Sequence, residues 1–197
     1  DDTESAGWLR MIFDDQKIPY TLIMDEDVRR GGLHPRFDVI VRCPTGIAID
    51  VAGRRVQVFN VHLDDSPYQP YQLLKIGYGP HPVLKTAREA IRAAEATRGA
   101  GLKLLFADMA VAGKADAVFV FGDFNEPSHR DWSAATVRAG LQPLPVAFPS
   151  VRALEKRGFV DLFRRAHPDP VVKSGFTWTP TTDPQSPDDH HDRIDFT

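Results

Sequence analysis

Several features are scarce or missing in this chain, and each absence excludes a class of protein. It has one cysteine, Cys43, so no internal disulfide framework can form. No apolar run approaches the length of a membrane span, and no segment repeats. The acidic N-terminal run Asp1–Ser5 lacks a signal-peptide pattern. We therefore expect a soluble protein whose compartment the sequence leaves open, including a secreted or periplasmic one with its signal removed.

An excess of positive charge is also missing. The formal net charge is −3 at pH 7, which argues against a broad basic surface and disfavours long DNA as a substrate. The chain has 197 residues, 42% of them hydrophobic, which is enough for one sizeable domain with its own core. Sixteen prolines and fourteen glycines predict many turns.

Hydrophobic periodicity divides the chain into two parts. Residues 1–44 are predicted to form an N-terminal α/β segment of uncertain origin, with a helix at 8–17 and strands at Ile18–Ile23 and Phe37–Val41. The second part, residues 45–197, follows a predicted junction near Cys43–Gly46. In it we predict strands and helices in the following order: strands at Ile47–Val51 and Val56–Leu63 joined by a hairpin, a loop at 64–82, helices at Leu84–Ala96 and 102–112 separated by Gly99–Gly101, a strand at 118–124, a short helix around Asp131 with Ser128 as its N-cap, and a strand from Arg193.

The most informative segment is Gly122–Asn125, which ends an apolar, β-rich run. On an extended backbone Asp123 and Asn125 point to the same face, whereas Phe124 points into the core. A carboxylate and an amide held side by side suit a divalent cation or a phosphoryl group. The alternative is a strand-ending turn with an Asx cap.

Two further motifs have the same character. Phe59–Leu63 reads as a strand with Asn60 and His62 on one face, and His191–Phe196 contains the run Arg-Ile-Asp. Taken alone, the first is compatible with a solvated strand face and the second with a salt-bridged strand edge. All three motifs fall in this order at the ends of predicted strands, which favours a shared site.

Together the three motifs resemble those of the endonuclease/exonuclease/phosphatase superfamily, the group of DNase I, sphingomyelinases and inositol polyphosphate phosphatases. The resemblance covers about residues 45–197 and extends to Phe176–Pro180 and Pro127–Trp132. It implies a DNase I-like α/β (α+β) fold, a four-layer sandwich of two mixed β-sheets flanked by helices. It also implies hydrolysis of a phosphate ester by an activated water with Mg²⁺ or Mn²⁺ as cofactor.

The resemblance assigns roles residue by residue. His62 would contact and neutralise the scissile phosphate, and Asp123 would position and deprotonate the attacking water. Asn125 would hold a phosphate oxygen, and Asp195 would orient a catalytic histidine through its ring N–H. We also expect Asp123 and Asn125 to serve as metal ligands and Asn60 to contact the substrate.

Other side chains near these motifs have two interpretations each. Tyr68 and Tyr71 follow His62 in a loop that either contacts substrate or packs as an aromatic cluster, and Trp178 is core or pocket wall. The remaining expectations concern the C-terminal motif: His190 and His191 are solvated in preference to forming a metal site, Asp192 is solvated, and Arg193 forms a structural ion pair in preference to reaching a phosphate.

Parts of the family pattern have no counterpart in this sequence. Residues 1–44 lack the paired strands with an Asn and the metal-binding Glu, and Glu26 lies in a helix-start context instead. A Ser-Asp-His-type motif beyond Asp195 is also not found. Residues 8–41 resemble a glutamine-amidotransferase-like segment of bacterial zinc carboxypeptidases. We therefore expect a domain truncated at both ends that exposes a sheet edge and self-associates.

Two functions remain in view. One is a metal-dependent phosphoesterase acting on a phosphate ester, whether nucleic acid, lipid headgroup or inositol phosphate. The other is a catalytically inactive relative or fragment that acts as a binding or interaction module. An amidotransferase-like function for residues 1–41 ranks last because no nucleophile elbow is found. Measurable binding of Mg²⁺ or Mn²⁺ distinguishes the first two.

Overall fold

The computed structural model describes residues 46–179, 181–183 and 186–197, together with the isolated positions 14, 17, 19 and 21. Several expectations fall on the other positions: the helix at 8–17, the strands at 18–23 and 37–41, and the boundary between residues 1–44 and 45–197. These expectations lie outside the described residues.

The described residues form a mixed α/β structure with one four-stranded sheet and five helices. Sheet order follows chain order, with antiparallel, parallel and antiparallel pairings in turn. The second sheet of the predicted sandwich is not found in these ranges, so the DNase I-like architecture stays a prediction. The strands are β1 (Ile47–Val51), β2 (Arg54–His62), β3 (Ala117–Asp123) and β4 (Asp195–Phe196), and the helices are α1 (Gln69–Leu74), α2 (Ala87–Ala112), α3 (Ala134–Arg138), α4 (Pro149–Glu155) and α5 (Leu162–Ala166).

The sheet topology brings two predicted site residues together. Strands β1 and β2 form the predicted hairpin, whose turn residues Ala52 and Gly53 have φ of 52° and 76°. Positive φ at both positions is the type I′ geometry that matches the twist of paired strands. Strand β2 then pairs in parallel with β3 through the α2 crossover, in a register that sets His62 opposite Asp123.

Helix α2 runs unbroken for 26 residues, so the predicted separation at Gly99–Gly101 is wrong. A glycine inside a helix costs only about 1 kcal/mol, and burial of Leu102 and Leu105 against the sheet offsets it. A Cβ on Gly101 would lie 3.0 Å from the Leu63 side chain. The glycine therefore lets α2 approach β2 closely.

Two local predictions also need correction. The segment predicted as a loop at 64–82 contains α1, whose Pro70 stands in the first turn, where proline is tolerated. Ser128 does not cap a helix. The short helix α3 instead begins after Ser133, which forms a capping box with Thr136.

The main core lies between one face of the sheet and helices α2 and α4. It contains Phe59, Val61, Leu102, Leu105, Val120, Phe124, Val151, Leu154 and Phe196. The opposite sheet face is also apolar but less covered, with Phe119 and Val51 46% and 51% exposed. Within the described ranges β1 pairs only with β2, which leaves it at an edge. No described helix has the length and apolar composition to cross a membrane.

Candidate functional site

A pocket of about 520 Å³ opens where β2 and β3 end. This is the edge of the sheet at which the parallel strands deliver their last side chains, and Ile194, just before β4, closes one side. Six residues predicted from the sequence line it: His62, Asp123, Asn125, Tyr68, Tyr71 and Trp178. The sequence motifs therefore converge on one cavity.

Asp123 and Asn125 meet there through the strand-ending Asx turn that the sequence offered as the alternative, and not through an extended backbone. Strand β3 ends at Asp123, and Asn125 adopts a left-handed conformation with φ of 47°, which asparagine tolerates. The Asn125 backbone N–H donates to the Asp123 carboxylate at 2.7 Å, and its side-chain amide donates to the Leu63 carbonyl at 2.8 Å. An Asx turn thus holds both residues at the pocket, while Phe124 is buried in the core as predicted.

Gly122 makes this turn sterically feasible. Its φ is 128°, and a Cβ at this position would lie 2.0 Å from the Val61 carbonyl oxygen of the neighbouring strand. Only glycine fits such a close approach of backbone. The glycine before Asp123 is therefore a geometric requirement of the strand end.

Asp123 lies beside one basic group and one acidic group. Its carboxylate is 3.8 Å from His62 Nε2, and Asp195 stands opposite it in the β3–β4 register. Burial raises the pKa of Asp123, and the negative charge of Asp195 adds to this, although the Asn125 N–H opposes it. A carboxylate with a raised pKa is better suited to accept a proton near neutral pH.

Asn60 and Asp195 lie outside the pocket wall. Asn60 is exposed on the same strand face as His62, with its side-chain oxygen beside Gly122. Asp195 is exposed, and its backbone N–H donates to the Thr177 hydroxyl. No histidine of the described ranges hydrogen-bonds to the Asp195 carboxylate, so its expected role stays a prediction.

The two tyrosines pack as the predicted aromatic cluster and also line the pocket, and their contact with substrate stays a prediction. Tyr68 is 5% exposed and donates its hydroxyl to Asp192 at 2.8 Å. Tyr71 is 6% exposed and donates to Asp189. The expectation that Asp192 is solvated is wrong, because its carboxylate is buried and also accepts from Trp132 Nε1 at 2.7 Å. A buried carboxylate persists only where such donors surround it.

Arg193 forms the structural ion pair that the sequence predicts. Its guanidinium is buried and donates to Asp131 at 3.0 Å and to Asp161 at 2.6 Å. Arg164 donates to the same Asp131 carboxylate. This network fixes the segment that carries Ile194 and Asp195 against the helices, so it sets the position of the pocket wall.

The expectation that His190 and His191 are solvated is wrong, because His191 is buried, His190 is half-buried and both rings are hydrogen-bonded within the fold. His190 Nε2 lies 2.7 Å from the Gln142 side-chain oxygen, and His191 Nε2 lies 2.7 Å from the Thr182 hydroxyl. Among the described residues no group of three or more His, Cys, Asp or Glu side chains is arranged to hold a metal ion.

The sequence interpretation missed a buried ion pair beneath the pocket. Arg98 of α2 lies 3.9 Å from Glu126, and both side chains are almost fully buried. Arg98 also donates to Gln69 and to the carbonyls of Asp65 and Pro67, so it supports the loop that borders the cavity. The only sequence signal for this pair is the position of Glu126 directly after Asn125.

Because of Glu126, we expect the stability of the folded chain to fall as the pH rises. Burial raises the pKa of Glu126 from 4.5 to about 7, although Arg98 and the Ser150 N–H oppose the shift. Between pH 4.5 and about pH 7, Glu126 keeps its proton in the folded chain but has lost it in the unfolded chain. The free energy of unfolding therefore falls by about 3 kcal/mol as the pH rises through this range. Urea unfolding of the parent and of Glu126→Gln at pH 5 and pH 8 measures this loss.

The loss is expected in the parent chain and not in Glu126→Gln. The matched control is Asp188→Asn, which neutralises an exposed carboxylate in the loop before His190 and should retain the parent's pH dependence. An equal fall in all three proteins would assign the effect to other groups.

Comparison with known proteins adds little to this geometry. No family model matches the chain. A segment of 85 residues is 36% identical to the uncharacterized protein F14F9.5 of Caenorhabditis elegans and covers 40% of this chain. That match covers 26% of the worm protein, so the chain spans about a quarter of the curated relative's length. No solved structure matches.

Proposed function

We propose that the chain is a divalent-metal-dependent phosphoric ester hydrolase that uses an activated water. The observation that carries the proposal is the convergence of His62, Asp123 and Asn125 on one open pocket at the ends of parallel strands. The order and content of the three sequence motifs support it, through their resemblance to the endonuclease/exonuclease/phosphatase superfamily.

The oxygen ligands at the pocket suit a hard cation that takes only a few of its ligands from the protein. Asp123 and Asn125 present oxygen ligands at the pocket, and Mg²⁺ is commonly held by one or two carboxylates together with substrate phosphate oxygens. When bound, Mg²⁺ or Mn²⁺ supplies positive charge at the phosphoryl oxygens. The pocket itself lacks enough positive charge for this, since His62 is its only basic lining residue in the described ranges.

The side chains of this chain would then perform three tasks. Asp123, with its raised pKa, accepts the proton of the attacking water. His62, which lies on β2 across from Asp123 on β3, donates a hydrogen bond to a phosphoryl oxygen. The Asn125 amide stays oriented because it donates to the Leu63 carbonyl. Positioning of this kind provides much of the rate enhancement in phosphoryl transfer.

A second candidate is a binding module without catalytic activity. It is favoured by the lack of a three-ligand metal cluster and of a histidine on Asp195 among the described residues. Such a module would keep the pocket and its affinity for phosphate esters but would not turn them over.

The deciding experiment is hydrolysis of bis(p-nitrophenyl) phosphate with Mg²⁺, with Mn²⁺ and with a chelator. The proposal expects turnover that requires the metal and is lost in Asp123→Asn. Turnover equal to that of Asp123→Asn under all three conditions would reject the hydrolase and favour the binding module.

We also propose that the chain self-associates through the β1 edge and the adjoining apolar sheet face. Val51 lies on β1 and is 51% exposed, and unpaired edges with apolar side chains favour pairing between chains. Light scattering during size-exclusion chromatography should show a dimer or larger species, and Val51→Lys should weaken it about tenfold. Val111→Lys, at an 88% exposed site on α2, is the control. A compact monomer of the parent chain contradicts the proposal.

A further inference from the structure

One wall of the pocket is aromatic. Tyr71, Tyr78 and Trp178 all line it. The Tyr71 and Tyr78 rings stand nearly perpendicular, at 87° with centroids 5.8 Å apart, so they form a corner. Tyr68 meets Tyr71 at 85° and 5.0 Å and extends this corner into the core. Tyr68 and Tyr71 are only 5% and 6% exposed, so the ring surface open to a ligand that reaches His62 and Asp123 comes mainly from Tyr78, which is 37% exposed, and from the half-buried Trp178.

Hydrogen bonds hold this aromatic wall in place. Tyr71 donates to Asp189 and accepts from Trp178 Nε1 at 3.0 Å. Burial, together with the bond to Asp189, raises the pKa of Tyr71 to about 12, so the ring stays neutral at working pH. Tyr78 donates to the Asp65 carboxylate at 2.9 Å. Rings fixed in this way lose little conformational freedom when a ligand binds.

Most of the charged side chains that line the pocket are acidic. Asp64, Asp65 and Asp123 line it, whereas His62 is its one basic lining residue and neither Lys nor Arg lines it in the described ranges. Even with His62 protonated the carboxylates dominate. A phosphate ester adds further negative charge, and Asp64 and Asp65 lie in the loop after β2, next to the aromatic wall. A ligand that carries its own cation offsets the repulsion.

We propose that the pocket binds a quaternary ammonium group carried by the alcohol part of the phosphate ester. Aromatic faces attract weakly hydrated cations, and tyrosine and tryptophan walls beside carboxylates are suited to quaternary ammonium ligands. A bound metal would neutralise the negative charge of the phosphate, but it would not occupy the part of the pocket next to the aromatic wall. The volume of about 520 Å³ accommodates both the phosphate and the ammonium group. The ester part of this inference rests on the function proposed above.

The first test compares two ligands of the same shape. Choline carries the cation, and 3,3-dimethylbutan-1-ol replaces its nitrogen by carbon. Calorimetric titration of the full chain should show choline binding at least tenfold more tightly than the neutral alcohol. Equal affinity for the two ligands, or no binding of choline at millimolar concentration, overturns the inference.

The second test separates the ring from the hydroxyl. Tyr78 is 37% exposed, so its replacement leaves the core intact. Tyr78→Leu should weaken choline binding about tenfold, whereas Tyr78→Phe should retain most of it. Phe119→Leu removes a ring that is 46% exposed on the sheet face opposite the main core, and it should leave choline binding unchanged. Equal losses in Tyr78→Leu and Tyr78→Phe would contradict a role for the ring.

The outcomes for binding and for hydrolysis are independent. Choline-selective binding without any hydrolysis of bis(p-nitrophenyl) phosphate supports the ammonium site and rejects the proposed hydrolase. Metal-dependent hydrolysis without choline selectivity supports the hydrolase and overturns the ammonium site.

Discussion

Asp123→Asn is expected to slow metal-dependent phosphodiester hydrolysis about 1,000-fold, because it removes the proton acceptor and a charged metal ligand together. The asparagine oxygen can still accept the Asn125 N–H that closes the turn, so the pocket keeps its shape. Burial disfavours the charged form of Asp123, which means that a neutral amide should fold at least as stably. Activity and stability should therefore separate in this variant.

The measurement is the rate at saturating Mn²⁺, with the urea midpoint determined on the same preparations. Asp188→Asn is the control, since it removes the charge of an exposed carboxylate in the loop before His190 and should leave both values unchanged. A loss of activity that is matched by a loss of stability would indicate a structural role for Asp123. A rate within tenfold of the parent would remove it from the mechanism.

Arg193→Met is expected to lower the free energy of unfolding by about 4 kcal/mol at pH 7. Methionine fills much of the same volume but leaves Asp161 without Arg193, and Asp131 with Arg164 alone. Burial already raises the pKa of Asp131, and the two arginines oppose that shift. Protonation of Asp131 should relieve part of the penalty, so the loss should shrink as pH falls.

Urea unfolding followed by tryptophan fluorescence, at pH 4.5 and pH 7, measures this effect. Arg130→Met is the matched control, because Arg130 pairs with Glu155 but its side chain is 52% exposed. Exposed pairs contribute about 1 kcal/mol or less. Similar losses in the two variants, or no dependence on pH in Arg193→Met, would contradict the buried-network interpretation.

Much of the site was predictable because strand ends leave a strong pattern in sequence. The apolar run before Asp123 and the alternation around His62 correctly predict β3 and β2, and parallel pairing then brings the two residues opposite each other. Local chemistry determined these features. An ion pair of Arg193 was also predicted, but its partners Asp131 and Asp161 lie 62 and 32 residues earlier in the chain, so only the tertiary structure identifies them.

The errors arise where burial overrides local propensity. Two glycines predict a helix break, but packing of Leu102 and Leu105 carries α2 through them. Asp192 lies in a polar run and was expected to be solvated, yet Tyr68 and Trp132 from distant segments bury and bond it. Partners 60 or more residues away in the chain leave no local signal.

The sequence by itself determined the strands, the hairpin and the order of the three motifs, because these depend on short-range patterns of apolar and polar residues and on the backbone freedom of glycine. Tertiary structure alone decided the hydrogen bond from the Asn125 amide to the Leu63 carbonyl, the buried Arg98–Glu126 pair and the aromatic wall held by Asp189 and Asp192. These features depend on which distant groups share a site of low solvent access, where each buried polar atom must find a partner.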